Sequence, residues 1–237
     1  MELTLVSNQP SDNFAGSPPG GRTWSLAWLV VFSVAMAFLE AVVVVYLREL
    51  YYPEGFAFPL KMIPARVALI EAGRELATVV MLVTVAWFSG RTPAERFALF
   101  GICFAVWDIF YYAWLRALIG WPASFFTWDI LFLIPSPWIG PVISPLAVSV
   151  CLIVGSIIIL NRLKSGGRFR PNLWEWAIAC GGALLIVLSY TMDLDAGLGK
   201  SRPQPYRWEL LAVGLAAWFY ALGRSLFRTG KVKATGG

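Results

Sequence analysis

Apolar residues run almost unbroken through six stretches of the chain: Trp24–Tyr46, Pro64–Ser89, Ala94–Leu118, Pro141–Leu160, Leu173–Met192 and Trp208–Phe227. Each reaches the roughly 20 residues that a helix needs to cross a bilayer, so the pattern predicts six membrane-spanning helices. A seventh stretch, Ala123–Ile134, is only about half that length and runs into Pro135, Ser136, Pro137, Trp138, Ile139, Gly140 and Pro141. It reads as a re-entrant half-helix followed by a broken turn, which must be covered by protein or line a polar cavity. The predicted fold is an all-α polytopic helix bundle, six spans plus this outer re-entrant piece.

Charge sets the orientation. Arg91 and Arg96, then Arg162, Lys164, Arg168 and Arg170, then Arg224, Arg228, Lys231 and Lys233 gather in three regions between and after the spans. The positive-inside rule makes all three cytoplasmic, with both termini inside, if Ala123–Ile134 enters and leaves on the outer side. The alternative is a seventh true span with one terminus outside. Residues 1–23 form a polar Pro/Gly-rich lead that reads as disordered and cytoplasmic; it lacks the basic start and short apolar core of a cleavable signal. Residues 24–228 form the transmembrane domain and 229–237 a basic cytoplasmic tail. Asp193, Asp195, Lys200 and Arg202 sit in a Gly- and Pro-rich connection and read as surface charges.

Composition agrees with a membrane protein, at 58% apolar and 14% charged residues. Histidine is absent, which removes bis-His haem ligation, histidine zinc sites and Ser-His hydrolysis together. No cofactor is evident, and any metal is expected to be a hard cation on oxygen ligands. Cys103, Cys151 and Cys180 lie in apolar runs and form no Cys-x-x-Cys motif. The net charge of +5 collects beside membrane segments, so it argues for topology and not for nucleic acid. The expected partners are the bilayer and another membrane protein or a second copy of the chain.

An internal repeat is visible. FSVAMAFLEAVVVVYLREL (Phe32–Leu50) aligns with FGICFAVWDIFYYAWLRAL (Phe100–Leu118) at constant offset, placing Glu40 on Asp108 and Arg48 on Arg116. The acid and the arginine in common register point to a duplicated hairpin of the parallel-repeat kind.

Six ionisable residues interrupt the apolar stretches: Glu40, Glu71, Arg74, Glu75, Asp108 and Asp129. A charge at the bilayer centre costs about 3 kcal/mol or more on insertion scales, so such residues mark function by default. At ~1.5 Å per residue, Glu40 lies ~24 Å and Asp108 ~21 Å from their inner helix ends, and Glu71 ~10 Å and Glu75 ~16 Å from the outer end. That agreement in depth is what one shared site would produce. Glu71, Arg74, Glu75 and Thr78 recur at i, i+3, i+4 and i+7, which makes one polar stripe; Asp108, Tyr111 and Tyr112 share a second face above Gly101. Glu40, Glu71, Glu75 and Asp108 are therefore the candidate proton- or ion-binding groups, Arg74 the counter-charge, and Thr78, Tyr111 and Tyr112 the wall. Five acids against one arginine leave a negative surplus, which takes up protons, shares them or binds a cation. The structural alternative is a lock in which Arg74 bridges Glu71 and Asp108. Trp107-Asp108-Ile109 and Trp128-Asp129-Ile130 place two aspartates in like settings, the arrangement from which an acid/base pair of an intramembrane enzyme would be built.

The runs FLEAVVVVYLRELYYPEGFAFPL (Phe38–Leu60) and WDIFYYAWLRALIGWP with WDILFLIPSPWIGP (Trp107–Pro141) resemble an uncharacterised family of small bacterial multi-pass membrane proteins. The resemblance covers about two thirds of the chain. It implies the bacterial inner membrane and carries no activity. Three functions stay open: proton- or cation-linked transport or sensing of a small solute, an enzyme acting on a lipid or lipid-linked substrate, and an accessory subunit of a membrane complex.

Overall fold

The computed structural model describes residues 21–58, 60–61, 63–134, 136–192 and 205–231. Among them are six helices: α1 (Gly21–Tyr51), α2 (Ala65–Ser89), α3 (Pro93–Ile119), α4 (Ile143–Lys164), α5 (Leu173–Thr191) and α6 (Trp208–Lys231). Two strands, β1 (Trp128–Phe132) and β2 (Trp138–Pro141), lie between α3 and α4. Residues 1–20 of the polar lead, the charges Asp193, Asp195, Lys200 and Arg202, and residues 232–237 lie outside the described residues.

Helix ends follow local chemistry. α3 starts at Thr92, whose side chain accepts the amide of Glu95, with Pro93 in the first helical position where its missing N–H costs nothing. It stops at Gly120, whose φ of 68° is left-handed and favours glycine. α5 starts in a reciprocal capping box between Asn172 and Glu175.

Five helices are long and apolar enough to cross a membrane: Leu26–Tyr51 of α1, α3, α4, α5 and Trp208–Arg228 of α6. The chain is thus read as a multi-pass membrane protein. Polar and acidic residues share the interior with apolar ones such as Leu29, Leu82, Trp107 and Leu115. Ser33, Glu40, Glu71, Glu75, Ser149 and Ser156 are buried while Leu39, Leu69, Ile70, Val80, Phe88 and Val150 face outward. Lipid has no advantage over Leu as a solvent for Leu, so the bundle interior holds the polar and small residues. α2, with 25 residues, buries Glu71, Glu75, Thr78, Leu82 and Ala86 along one face. It is not among those five helices.

α3 packs against α1, α2 and α4, and α5 pairs with α6. Close backbone approach makes the second contact: a Cβ on Gly182 would lie 2.6 Å from the Gly214 carbonyl oxygen, and a Cβ on Gly214 equally close to that of Gly182. One end of the bundle is tied by the Glu175–Arg228 ion pair at 3.1 Å and by Phe97 edge-on to Trp176. That end carries Arg91, Arg96, Arg162 and Arg170.

The Ala123–Ile134 segment does not form the expected half-helix. Trp128–Phe132 is a strand paired antiparallel with Trp138–Pro141, in the register Trp128↔Pro141, Asp129↔Gly140 and Ile130↔Ile139, with an irregularity before Phe132↔Trp138. A stretch this short lacks the length for a helix to repay its nucleation, and Pro137 and Pro141 withhold the amides a continuing helix needs. The ladder supplies the backbone partners instead. Val142 N–H donates to Thr127 O and Ile143 N–H to Phe125 O, leading directly into α4. An aromatic stack closes one side of the hairpin: Trp138 lies on Tyr190 at 5.7 Å and Tyr190 on Tyr206 at 5.8 Å. Gly140 fits beneath, where a Cβ would meet Tyr190 at 3.1 Å and Tyr206 at 3.3 Å.

Candidate functional site

The polar stripe of α2 turns inward. Glu71, Glu75 and Thr78 are buried and Arg74 is half-buried. The Arg74 guanidinium lies between two carboxylates, with Nη1 against Glu40 Oε1 of α1 and Nε donating to Glu71 Oε2 at 2.8 Å. Thr78 Oγ1 donates to the other oxygen of Glu40 at 3.1 Å. One arginine thus serves two acids. The predicted structural lock is present in altered form, because Arg74 bridges Glu71 to Glu40 and not to Asp108.

Glu75, one turn beyond Glu71, has a different setting. Its Oε2 accepts the backbone N–H of Leu133, just past β1, at 2.8 Å. None of the ion pairs among the described residues includes it.

Arg48, two turns beyond Glu40 on α1, donates from Nη2 to Asp129 Oδ1 of β1 at 3.0 Å. Its guanidinium is held over the Trp121 ring at 3.7 Å and the Phe56 ring at 4.7 Å, each a cation–π contact. Arg48 Nη1 and Asp129 Oδ2 are both buried without a hydrogen-bond partner among the described residues. The strand alternation explains Asp129: it pairs with Gly140 in the ladder, and its side chain is 2% exposed.

These groups line one cavity of about 520 Å³, bounded by α1, the segment between α1 and α2, the first turns of α2, Tyr111 of α3 and the hairpin. Its polar wall holds Arg48, Lys61, Glu71, Arg74, Glu75 and Asp129. Its apolar wall is supplied by Val44, Leu47, Leu60, Ala68, Ile130 and Leu133, among others.

Asp108 lies elsewhere. It is absent from the cavity wall and accepts a hydrogen bond from Ser149 Oγ of α4 at 2.8 Å. The same α3–α4 contact carries Gly101, where a Cβ would overlap Ser156 Oγ. Asp108 is thus bonded to α4 and Asp129 to α1, and both carboxylates lie within electrostatic reach of Tyr112. Of the two tyrosines, Tyr111 reaches the cavity, while Tyr112 is buried behind it with its ring 4.9 Å from Tyr111.

The repeat-related positions behave alike in one respect. Glu40 accepts from Thr78 on the next helix, and Asp108 accepts from Ser149 on the next helix. The arginines diverge: Arg48 takes Asp129, whereas Arg116 donates to the carbonyls of Gly120 and Pro122. Sequence reasoning passed over Arg48 and Lys61 as cavity groups. The signal for Arg48 was its register with Arg116.

Among the described residues no three Asp, Glu or Cys side chains converge as a metal-binding set. Three cationic and three anionic groups face the cavity instead, so it offers donors and acceptors to a small ligand and one acid, Glu75, that none of the ion pairs among the described residues holds. Comparison with known protein families, curated proteins and solved structures finds no match.

Proposed function

We propose that this is a six-span inner-membrane protein whose cavity takes a small solute from the outer side and links its transport or sensing to a proton carried by Glu75. The carrying observation is the asymmetry among the acids. Glu40 and Glu71 share Arg74 and Asp129 has Arg48, but Glu75 faces the cavity with only a backbone amide. A buried carboxylate without a cation is met by a proton or by an incoming ion. The near balance of charge around it favours the proton over a hard cation, which would need several free oxygen ligands.

α2 supplies the sixth span in this reading. Its outward face is apolar, its polar face is turned into the bundle, and its partners stand on α1 and beside β1. The basic end of the bundle is cytoplasmic by the positive-inside rule, which sets both termini inside and opens the cavity outward. We favour this over the enzyme reading because Asp108 and Asp129 are each already engaged, by Ser149 of α4 and by Arg48 of α1.

The test is proton flux into liposomes under an imposed potential, followed by an enclosed pH-sensitive dye. Wild type is expected to conduct above protein-free liposomes, Glu75→Gln to fall to that background, and Asp108→Asn to retain the flux. A Glu75→Gln protein that conducts like wild type, or a wild type no better than empty liposomes, would refute the proposal.

A further inference from the structure

We propose that the cavity ligand is a zwitterionic amphiphile: an apolar body bearing a primary ammonium and an oxyacid anion, phosphate or carboxylate. The inference rests on the reading of this cavity as a solute site but not on proton coupling.

The argument comes from sorting the polar groups of the wall into satisfied and free. Arg74 is consumed between Glu40 and Glu71. Two cationic groups keep donors to offer: Arg48, whose Nη1 is buried and unpartnered, and Lys61, exposed at the mouth with its ammonium 5.3 Å from the Tyr52 ring centroid. Two acids keep acceptors: Asp129 through Oδ2 and Glu75, which has no ion pair. The free set is thus two donors of positive sign and two acceptors of negative sign on one wall.

An anion alone would meet Arg48 and Lys61 but bring its charge beside Glu75 and Asp129. A cation alone would leave Arg48 Nη1 orphaned in a desolvated site, where an unmade hydrogen bond is costly. A ligand carrying both signs completes both halves. Its cationic end is an ammonium with N–H donors because the available partners are carboxylate oxygens. A quaternary ammonium has no N–H to give these carboxylates, and of the rings lining the cavity Phe56 and Tyr52 already face Arg48 and Lys61. The remaining wall, with Val44, Leu47, Leu60, Ala68, Ile130 and Leu133, requires an apolar body. A volume of about 520 Å³ holds a headgroup with its first methylenes, or a whole amphiphile of that size.

Native mass spectrometry of the full-length protein in detergent tests this with phosphatidylethanolamine, phosphatidylcholine and phosphatidylglycerol of identical acyl chains, and with soluble phosphoethanolamine. Phosphatidylethanolamine is expected to bind about tenfold more tightly than the other two lipids, the worth of one charge-assisted contact. Glu75→Gln is expected to erase its advantage over phosphatidylglycerol, and Lys61→Gln to weaken both phospholipids without unfolding the protein, because Lys61 is exposed. Phosphoethanolamine competing as well as the lipid would assign the same chemistry to a soluble source; lipid binding that it does not compete for would assign it to the bilayer. Equal binding of the three lipids without phosphoethanolamine binding, or an ethanolamine preference that survives both substitutions, would overturn the proposal. An ethanolamine preference without Glu75-dependent proton flux would remove the transport reading and leave this one standing.

Discussion

Replacing Arg74 by glutamine removes the cation shared by Glu40 and Glu71, two carboxyl side chains each 8% exposed. Truncating one partner of a buried ion pair typically costs about 3–5 kcal/mol, because the surviving charge is stranded away from water. Arg74 itself is 21% exposed and borders the cavity, so water screens part of that loss and the lower end, about 3 kcal/mol, is expected. Against a total stability of roughly 5–15 kcal/mol, this lowers the midpoint of thermal unfolding by roughly 6–12 °C for a chain of this size. The assay is tryptophan fluorescence on heating in detergent. A triple substitution, Glu40→Gln, Glu71→Gln and Arg74→Gln, keeps the shapes of the two acids and removes the charges that Arg74→Gln strands, so it is expected to recover most of the loss. An Arg74→Gln protein within about 1 kcal/mol of wild type, or a triple variant no better than the single, would refute the reasoning that charge compensation holds α1 to α2.

Three further outcomes are expected. Gly182→Ala lowers the unfolding midpoint by the equivalent of about 1–3 kcal/mol, because its Cβ would meet the Gly214 oxygen at 2.6 Å, whereas Gly181→Ala, with nothing within 4 Å, is neutral or stabilising. Thr78→Val costs about 0.6–1 kcal/mol by the same assay through loss of the bond to Glu40. Asn172→Ala removes the capping box of α5 and costs about 1 kcal/mol, read as earlier unfolding and faster amide exchange in its first turn.

The helices were legible because a membrane demands length and apolarity, two properties that survive without knowledge of neighbours. The bounds Pro64–Ser89 and Ala94–Leu118 even fall within a residue or two of the helix ends. The α2 stripe was legible for a related reason, since an otherwise apolar helix leaves charged residues one direction to face. Asp108 was not, because α3 is packed on several sides and buries Ala98, Cys103, Ala105 and Trp107 around its circumference, so periodicity names no single inner face. The hairpin was hidden by ambiguity of period. Five residues, WDILF, are too few to separate a strand from a helical turn, and the partner strand follows Pro137 and ends in Pro141, which read as loop. Arg48 followed from that error, since its partner Asp129 takes its place only when β1 pairs with β2.

The ion pair between Glu40 and Arg74 also bears on how the chain enters the membrane. Presented singly to an insertion channel, α2 would carry Glu71, Arg74 and Glu75 toward lipid, with polar groups costing about 2.5–3.5 kcal/mol apiece near a helix centre. α1 has left the ribosome by then, with Glu40 only 34 residues ahead of Arg74, so the neutralising partner already stands beside the channel. On the six-span reading, the unit that partitions into the bilayer is the α1–α2 hairpin with its charges joined, and synthesis order supplies the counter-ion that hydropathy alone withholds.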